Sequence, residues 1–182
     1  MQEKKIFSRR HKNRDDLAGE HKLGDIGQLV LLFAFILIII IDIYFLKISN
    51  NFSQLLSLWI RIPLGLIIIF IGGLFAMKGL KIVFNETREE PRVIKEGVFR
   101  IVRHPIYLGS ILTYLGFLVF SMSIIGAVVW LIIVLFYYFI SIYEEKLLLQ
   151  KFGNEYRNYM KKVPMMNVFL GLTRLVSRKK KA

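Results

Sequence analysis

Apolar and polar residues are segregated along this chain, with long uncharged stretches separated by short charged segments. The first apolar stretch is Ile26–Leu46, interrupted only by Asp42, and the second is centred on Ile62–Met77. The third, Pro105–Tyr143, runs for 39 residues without a formal charge. Because a hydrocarbon core about 30 Å thick takes about 20 helical residues, this third stretch predicts two spans joined by a tight turn.

The turn of this hairpin is expected at a cluster of small and polar residues, Ser121, Met122, Ser123 and Gly126. The pattern therefore predicts an all-α integral membrane protein with four transmembrane helices. The first apolar stretch begins too late and is too long for a signal-peptide h-region. Gly109 and Gly116 are seven residues apart on one helical face, which predicts a close contact between helices.

Composition supports a membrane protein and excludes other classes. Of the 182 residues, 55% are hydrophobic and only 21% are charged, whereas a soluble domain of this size needs a polar exterior. The chain has no cysteine, which excludes disulfides, thiolate metal sites and a cysteine nucleophile; no metal site is predicted. The formal net charge of +13 indicates a membrane surface as partner rather than nucleic acid.

Lysine and arginine are unevenly distributed between the predicted loops. Seven precede Ile26, two lie in Lys47–Arg61, seven in Lys78–Arg103, none in the hairpin turn and ten from Lys146 onward. Because cytoplasmic loops carry the excess of Lys and Arg, both termini and the Lys78–Arg103 connection are expected in the cytoplasm.

Three polar segments lie outside the predicted spans. Met1–Asp25 is expected to form a cytoplasmic N-terminal arm. Within Lys146–Val163 apolar residues recur at steps of three and four, which predicts an interfacial helix on the cytoplasmic membrane surface: Leu148, Phe152, Tyr156, Tyr159 and Val163. The basic end, Arg178–Lys181, predicts an electrostatic clamp on anionic lipid.

Ionisable residues flank the predicted hairpin at both ends. Its start carries Arg103, His104 and Tyr107, and its end is followed by Glu144 and Glu145. Since a helical hairpin returns the chain to the side where it began, these residues are expected close together at the cytoplasmic boundary. Ionisable groups next to lipid are costly unless they are paired or bind a ligand. This cluster is therefore the candidate site.

The cluster lies within a longer motif. Before the hairpin, Gly97–Gly109 reads GVFRIVRHPIYLG, and after it come Glu144 and Glu145, KFGNEY at Lys151–Tyr156, then Tyr159, Val163 and Pro164. Over Arg92–Pro164 the chain resembles the isoprenylcysteine carboxyl methyltransferase and phospholipid methyltransferase superfamily. The spans before this segment match the superfamily only in hydropathy.

The resemblance implies a membrane enzyme that uses S-adenosyl-L-methionine, bound at the cytoplasmic ends of the last two spans and covered by the C-terminal helix. It implies catalytic roles for Glu144, Arg103 and His104. The expected cofactor contacts are Val93, Ile94, Phe99, His104, Ile106, Tyr107, Glu144 and Glu145. The chain then divides into the arm 1–25, two N-terminal spans in 26–80 and the catalytic part 81–182.

The chain departs from the superfamily pattern at two positions. Phe99 stands where Tyr is common, so a hydroxyl contact is missing while stacking is retained. Ile140 stands where the eukaryotic carboxyl-methylating enzymes place an Arg one turn before the Glu pair. The second departure argues against prenylcysteine carboxyl methylation without affecting the expected cofactor site.

These residue types suit the cofactor, whose sulfonium and ammonium can pair with Glu144 and whose carboxylate can pair with His104 or Arg103. The expected acceptor is lipidic or lipid-attached and enters from the bilayer. A carboxylate acceptor needs no general base, whereas an amine must be neutral before attack, and Glu144 or Glu145 can accept its proton. The sequence does not choose between a carboxylate and an amine acceptor. It does not indicate the oligomeric state either.

Two other interpretations remain at this stage. One is a membrane reductase of the sterol or steroid type, which shares a related C-terminal architecture and binds NADPH. The other is a non-enzymatic membrane scaffold or small transporter, for which Asp42 is the lone intramembrane ionisable residue. Asp42 is expected near the outer interface or at one helix contact.

Overall fold

The computed structural model describes residues 24–85 and 92–179, and these fold into helices joined by short connections. The expected N-terminal arm lies outside them as far as residue 23, as do Lys180 and Lys181 of the expected basic clamp. The six longer helices in these ranges are α1 (Gly24–Ile40), α2 (Leu58–Asn85), α3 (Pro105–Ser121), α4 (Ile124–Phe152), α5 (Asn154–Lys162) and α6 (Val168–Lys179).

The first predicted span has two parts. The regular helix α1 continues as a π-helical segment, Ile41–Leu46, and Lys47 ends it in the left-handed conformation with φ 57°. A short helical turn, Asn50–Ser53, then leads to α2. The π-helical segment contains Asp42, which is fully buried.

Helices α3 and α4 form the predicted hairpin, with its turn at Met122 and Ser123. Met122 adopts the left-handed conformation with φ 53°. Ser123 caps α4, since its hydroxyl accepts a hydrogen bond from the backbone N–H of Gly126 at 2.8 Å. The hairpin returns the chain to the end at which α3 begins, as expected from 39 uncharged residues.

Glycines bring α2 and α3 into backbone contact. A Cβ atom at Gly109 would lie 2.6 Å from the carbonyl oxygen of Gly72 and 2.7 Å from the backbone nitrogen of Ala76. At Gly116 it would lie 2.8 Å from the carbonyl oxygen of Gly65. The predicted contact at Gly109 and Gly116 is therefore the α2–α3 interface.

The opposite side of α3 packs against α1 and α4. The buried residues of this core are Phe35, Ile39, Ile111, Tyr114, Ile133 and Tyr137. The rings of Phe35 and Tyr114 meet edge to face at 5.2 Å, and the indole of Trp130 donates to the carbonyl of Ile111 at 3.1 Å. Helix α3 is thus the central element, with α2 on one side and α1 and α4 on the other.

A buried polar network connects α1 to the hairpin turn. The carboxylate of Asp42 accepts hydrogen bonds from the hydroxyls of Ser49 and Ser123. The Ser49 hydroxyl in turn accepts from the backbone N–H of Ile124 at 2.7 Å. Nearby, the buried Arg61 of α2 donates to the carbonyl of Phe120 at 3.3 Å. Asp42 therefore makes a helix contact, one of the two roles expected for it.

Two of the described helices are long and apolar enough to cross a membrane, over Leu58–Val83 and Ile124–Phe152. Only 17% and 22% of their most apolar windows are buried, so their side chains face outward as lipid-exposed helices do. Shorter apolar helical segments cover Val30–Leu46, Pro105–Ser121 and Val168–Ser177.

The prediction of one surface helix over Lys146–Val163 is wrong in its boundaries. Helix α4 continues to Phe152 and ends at Gly153, whose φ of 53° breaks the helix. Only α5 is separate, and its buried Tyr156 and Tyr159 pack with Val93 and Val163. The apolar repeat continues across the break in the same phase, so periodicity alone does not reveal it. A further amphipathic helix, α6, follows.

Candidate active site

The hairpin brings the five clustered residues into contact. Arg103 and His104 immediately precede α3, whose first residue is Pro105, a position where the missing N–H of proline costs nothing. Tyr107 lies in the first turn of α3, and Glu144 and Glu145 lie on α4. Their side chains meet as hydrogen-bonded or ion-paired groups.

Glu145 is held by two cationic partners. One of its oxygens, Oε1, accepts from Nε of Arg103 at 2.7 Å and lies 3.1 Å from Nε2 of His104. The side chains of Arg103 and Glu145 are only 10% and 7% exposed. A buried carboxylate with two such partners is satisfied within the protein, which leaves Glu145 little capacity for a further cation.

Glu144 is the more accessible of the two carboxylates. It accepts a hydrogen bond from the hydroxyl of Tyr107, and its Oε2 lies 3.5 Å from Nδ1 of His104. Its side chain is 23% exposed. Of the two glutamates, Glu144 can thus offer negative charge to a cationic ligand from solvent.

Aromatic rings continue from this cluster into the bundle. The rings of His104 and Tyr107 stack with an interplanar angle of 5° and centroids 5.7 Å apart. Tyr107 in turn meets Tyr137 of α4 at 5.2 Å. The cluster therefore has a flat aromatic wall beside its carboxylates.

The two glutamates also change the protonation of His104. Burial of the ring lowers the pKa of His104, but hydrogen bonds and charges from Glu144 and Glu145 raise it by more, so that the net pKa lies above its ordinary value of 6.5. The imidazolium form, with both nitrogens as donors, suits a ring that faces one carboxylate with each nitrogen.

Arg103 fastens the segment after α5 to the cluster. Its Nη1 donates to the carbonyls of Met160 and Val163 at 2.9 and 2.6 Å. Its backbone N–H is shared between the carbonyls of Pro164 and Met165, and the N–H of His104 also donates to Met165. These bonds hold the chain from Met160 to Met165 over the start of α3.

The remaining predicted contacts lie around this cluster rather than in it. Val93 is buried against Tyr156 and Tyr159 of α5. Phe99 is buried, and its carbonyl accepts from the hydroxyl of Tyr159 at 2.7 Å. Ile94 is half-buried. Ile106 points away from the glutamates, because its side chain packs against Gly79 of α2.

Sequence reasoning missed the partners of Arg103. They are backbone carbonyls of Met160, Val163, Pro164 and Met165, and a carbonyl is available at every residue whatever its side chain. The one feature of the sequence that pointed to this region was the presence of Val163 and Pro164 at the end of the superfamily motif.

The side chains fit a cofactor with a positive end and a planar base. Glu144 provides an accessible carboxylate, and the parallel rings of His104 and Tyr107 provide a stacking surface. Nε and Nη1 of Arg103 already donate to Glu145 and two carbonyls, and each ring nitrogen of His104 faces a glutamate. The geometry therefore favours neither of these two residues as the partner of the cofactor carboxylate.

Comparisons with known proteins are consistent with this chemistry. Residues 47–155 match the profile of a family described as phospholipid methyltransferase. A methanethiol S-methyltransferase of Crocosphaera subtropica is 32% identical over 118 residues, which cover 62% of this chain and 44% of that protein. Protein-S-isoprenylcysteine O-methyltransferase B of Arabidopsis thaliana is 35% identical over 77 residues, 42% of this chain and 39% of the relative.

A probable protein-S-isoprenylcysteine O-methyltransferase of Oryza sativa is 26% identical over 121 residues, 62% of this chain and 63% of the relative. The chain thus spans less than half the length of the first two relatives and under two thirds of the third. No solved structure matches the chain significantly.

Proposed function

This chain belongs to the phospholipid methyltransferase family, and from that membership we propose that it transfers a methyl group from S-adenosylmethionine to a hydrophobic acceptor at the membrane boundary. The observation that carries the proposal is the convergence of His104, Tyr107 and the partly exposed Glu144 at the open end of the α3–α4 hairpin. When bound there, S-adenosylmethionine supplies a methyl group on a sulfonium sulfur, which the lone pair of an acceptor can take by in-line displacement.

The residues of the chain have distinct roles in this proposal. Glu144 binds the positive end of the cofactor, the ring of Tyr107 stacks on its base, and His104 supports both residues through its contacts with Tyr107 and Glu144. Arg103 and Glu145 are positioning residues, because their contacts hold α4 and the C-terminal segment together. The segment after α5 covers the start of α3, and exclusion of water beside the cluster would favour transfer to an anionic acceptor.

We further propose that α1 to α4 cross the membrane with both termini in the cytoplasm. Support comes from the two helices that are long enough by themselves, from the shorter apolar helices packed beside them, and from the Lys and Arg distribution. The family itself consists of multi-pass integral membrane proteins.

The acceptor is lipidic or lipid-attached in the main form of the proposal, with a carboxylate or an amine as the reacting group. A small hydrophobic thiol is a second candidate. It is favoured because Ile140, one turn before Glu144, offers no charge to a substrate carboxylate, and because relatives from two bacteria are named methanethiol S-methyltransferases.

A binding titration on the purified chain in detergent tests the cofactor. Calorimetry should show binding of S-adenosylmethionine and S-adenosylhomocysteine but not of NADPH. Binding of NADPH alone would favour the reductase interpretation, and binding of none would favour a non-enzymatic protein. A panel of methyl acceptors, namely a prenylcysteine analogue, phosphatidylethanolamine and an alkanethiol, then identifies the reacting group by transfer of a labelled methyl.

A further inference from the structure

A concave surface lies beside α5, and none of the five clustered residues lines it. It is a cavity of about 230 Å³, open to solvent on one side, and its lining includes Lys95, Arg100, Glu155, Asn158, Tyr159 and Lys162. We call this surface the cationic pocket. The proposed methyl transfer uses none of its charged groups.

Three cationic side chains converge on the pocket from three separate parts of the chain. Lys95 comes from the connection before α3, Arg100 from the 3-10 turn Gly97–Arg100, and Lys162 from the end of α5. Among the described residues of its lining, Glu155 is the carboxylate, and it pairs with Lys95 at 2.5 Å. The described lining thus comprises three cationic side chains and one carboxylate.

Among the residues that the structure describes, Arg100 has no counter-ion. Over the described ranges 24–85 and 92–179 it makes neither an ion pair nor a hydrogen bond, and its side chain is exposed at the pocket. A guanidinium with free donors that faces a cavity with other cations is suited to an anion with several oxygens, such as a phosphate.

The walls of the pocket are fixed before any ligand binds. The hydroxyl of Tyr159 donates to the carbonyl of Phe99 at 2.7 Å, which ties α5 to the residue before Arg100. Val93, two residues before Lys95, is buried against the same helix. The three cationic groups are thus attached to one packed unit, and less ordering entropy is lost on binding than for charges on mobile loops.

Helix α6 places this pocket beside apolar surface. Gly171 packs directly on the carbonyl of Ile101, next to Arg100. The exposed side of α6 carries Phe169, which is 87% exposed, and Val176. An amphipathic helix of this kind lies in the membrane interface with its apolar side chains about 5–10 Å into the headgroup region, so the adjacent pocket lies at headgroup level.

We propose that the cationic pocket binds the phosphate group of an anionic membrane lipid. Free phosphate carries the same chemistry, but the apolar side chains of α6 beside the pocket suit the acyl chains that accompany a lipid phosphate. Basic pockets on the cytoplasmic side of membrane proteins bind such headgroups.

The test compares two charge-matched double variants of the full chain. Arg100→Gln with Lys162→Gln removes two charges that line the pocket, while Arg157→Gln with Lys161→Gln removes two exposed charges of α5 that do not line it. Native mass spectrometry would measure retention of phosphatidylglycerol against phosphatidylcholine. The parent and the control should retain phosphatidylglycerol, and the pocket variant should lose about tenfold or more of this preference.

Three results would overturn the proposal. Equal losses in both variants would indicate general attraction between a basic surface and an anionic lipid. Displacement of phosphatidylglycerol by millimolar inorganic phosphate, with phosphate bound in its place, would identify a free-phosphate site. A fall in S-adenosylhomocysteine affinity of the pocket variant alone would make the pocket part of the cofactor site. If the double variant does not fold, Arg100→Gln alone should still reduce the preference.

Discussion

Two neighbouring glutamates occupy different environments although they stand side by side on α4. Glu145 is 7% exposed and is shared by Arg103 and His104, whereas Glu144 is 23% exposed and accepts from Tyr107. Consecutive helical residues point about 100° apart, so one can face the packed C-terminal segment while the other faces the opening. This difference supports the proposal that Glu145 positions the C-terminal segment and that Glu144 binds the cofactor.

Substitution of Glu144 by Gln tests its role in binding. The change keeps the shape and removes the charge, so S-adenosylmethionine affinity should fall by about ten- to a hundredfold, as expected for loss of a charge-assisted contact of about 1.5–3 kcal/mol. Isothermal calorimetry in detergent measures the loss. S-adenosylhomocysteine, which lacks the sulfonium charge, should be affected less.

Glu96→Gln is the matched control, because Glu96 forms only an exposed pair with Arg92, and such pairs contribute little. Its affinities should equal those of the parent. Unchanged binding of both ligands by Glu144→Gln would remove the main support for the proposed site.

His104 makes the stability of the fold depend on pH. Its pKa is raised on folding, so its interactions with the two glutamates stabilise the folded state fully below the ordinary pKa of 6.5 and are lost as the pH rises through the higher folded value. The melting temperature of the parent should therefore fall with increasing pH above about 6.5. His104→Gln should lack this component, and parallel pH profiles for the two proteins would contradict the assignment.

For the individual site residues, the sequence predicted which side chains meet but not which contacts each of them makes. The order of charged and aromatic residues around an uncharged stretch was enough to place Arg103, His104, Tyr107, Glu144 and Glu145 together. The function of Arg103 depends on carbonyls 57 and 60 residues away, and no side-chain pattern encodes such partners.

Between elements, the closest packing is that of α2 on α3. Gly109→Ala would place a methyl group 2.6–2.8 Å from Gly72 and Ala76, and backbone atoms cannot move aside as flexible side chains do. The substitution should lower the free energy of unfolding by about 1–3 kcal/mol. Thermal unfolding in detergent, followed by circular dichroism, measures this change.

Gly73→Ala on α2 is the control for helix propensity. A Cβ there would meet nothing within 4 Å, so the variant should be as stable as the parent or more stable by up to about 1 kcal/mol. Equal effects of both alanines would show that the α2–α3 contact is looser than these distances indicate.

Arg103 connects the C-terminal segment to the bundle through its side chain, which bonds to Glu145 and to the carbonyls of Met160 and Val163. Arg103→Ala removes one of the two partners of the buried Glu145 carboxylate and frees two carbonyls, a loss of up to about 3–5 kcal/mol. Trypsin should then cleave after the exposed Lys161 and Lys162 much faster than in the parent. Arg103→Lys should restore only part of the protection, since one ammonium cannot serve Glu145 and both carbonyls together.

Arg92→Ala, at an exposed pair, should leave the cleavage rate unchanged. If Arg103→Ala is cleaved fast and has also lost its helical circular dichroism signal, the whole protein has unfolded and not the C-terminal segment alone. Both measurements are therefore made on one sample.

Helix boundaries were predicted correctly where charged residues mark them, and the prediction was wrong where no charge marks them. The hairpin was predictable because 39 residues lack charge and Ser121–Ser123 interrupts them. The break at Gly153 was not, because Phe152 and Tyr156 keep the four-residue step across it. A single glycine in a helical pattern is tolerated more often than it ends the helix.

For the molecule as a whole, 24 of the 26 basic residues lie in the three segments assigned to the cytoplasm. Since the chain has no cysteine, single cysteines can report this arrangement directly. A cysteine at Gln54, in the exposed connection before α2, should react with an impermeant maleimide in intact cells. One at Lys161 should react only after permeabilisation, and the reverse pattern would contradict the topology.

The Asp42 network has a consequence for biogenesis. The carboxyl group of Asp42 bonds to Ser123, which follows it by 81 residues. At about 5–20 residues per second, the ribosome takes roughly 4–16 s to synthesise that interval. During that time Asp42 has Ser49 but not Ser123 as a hydrogen-bond partner, and an ionisable group in hydrocarbon is costly. If the helices cross the membrane as proposed, we expect the first to stay in or beside the translocon until the hairpin has been synthesised.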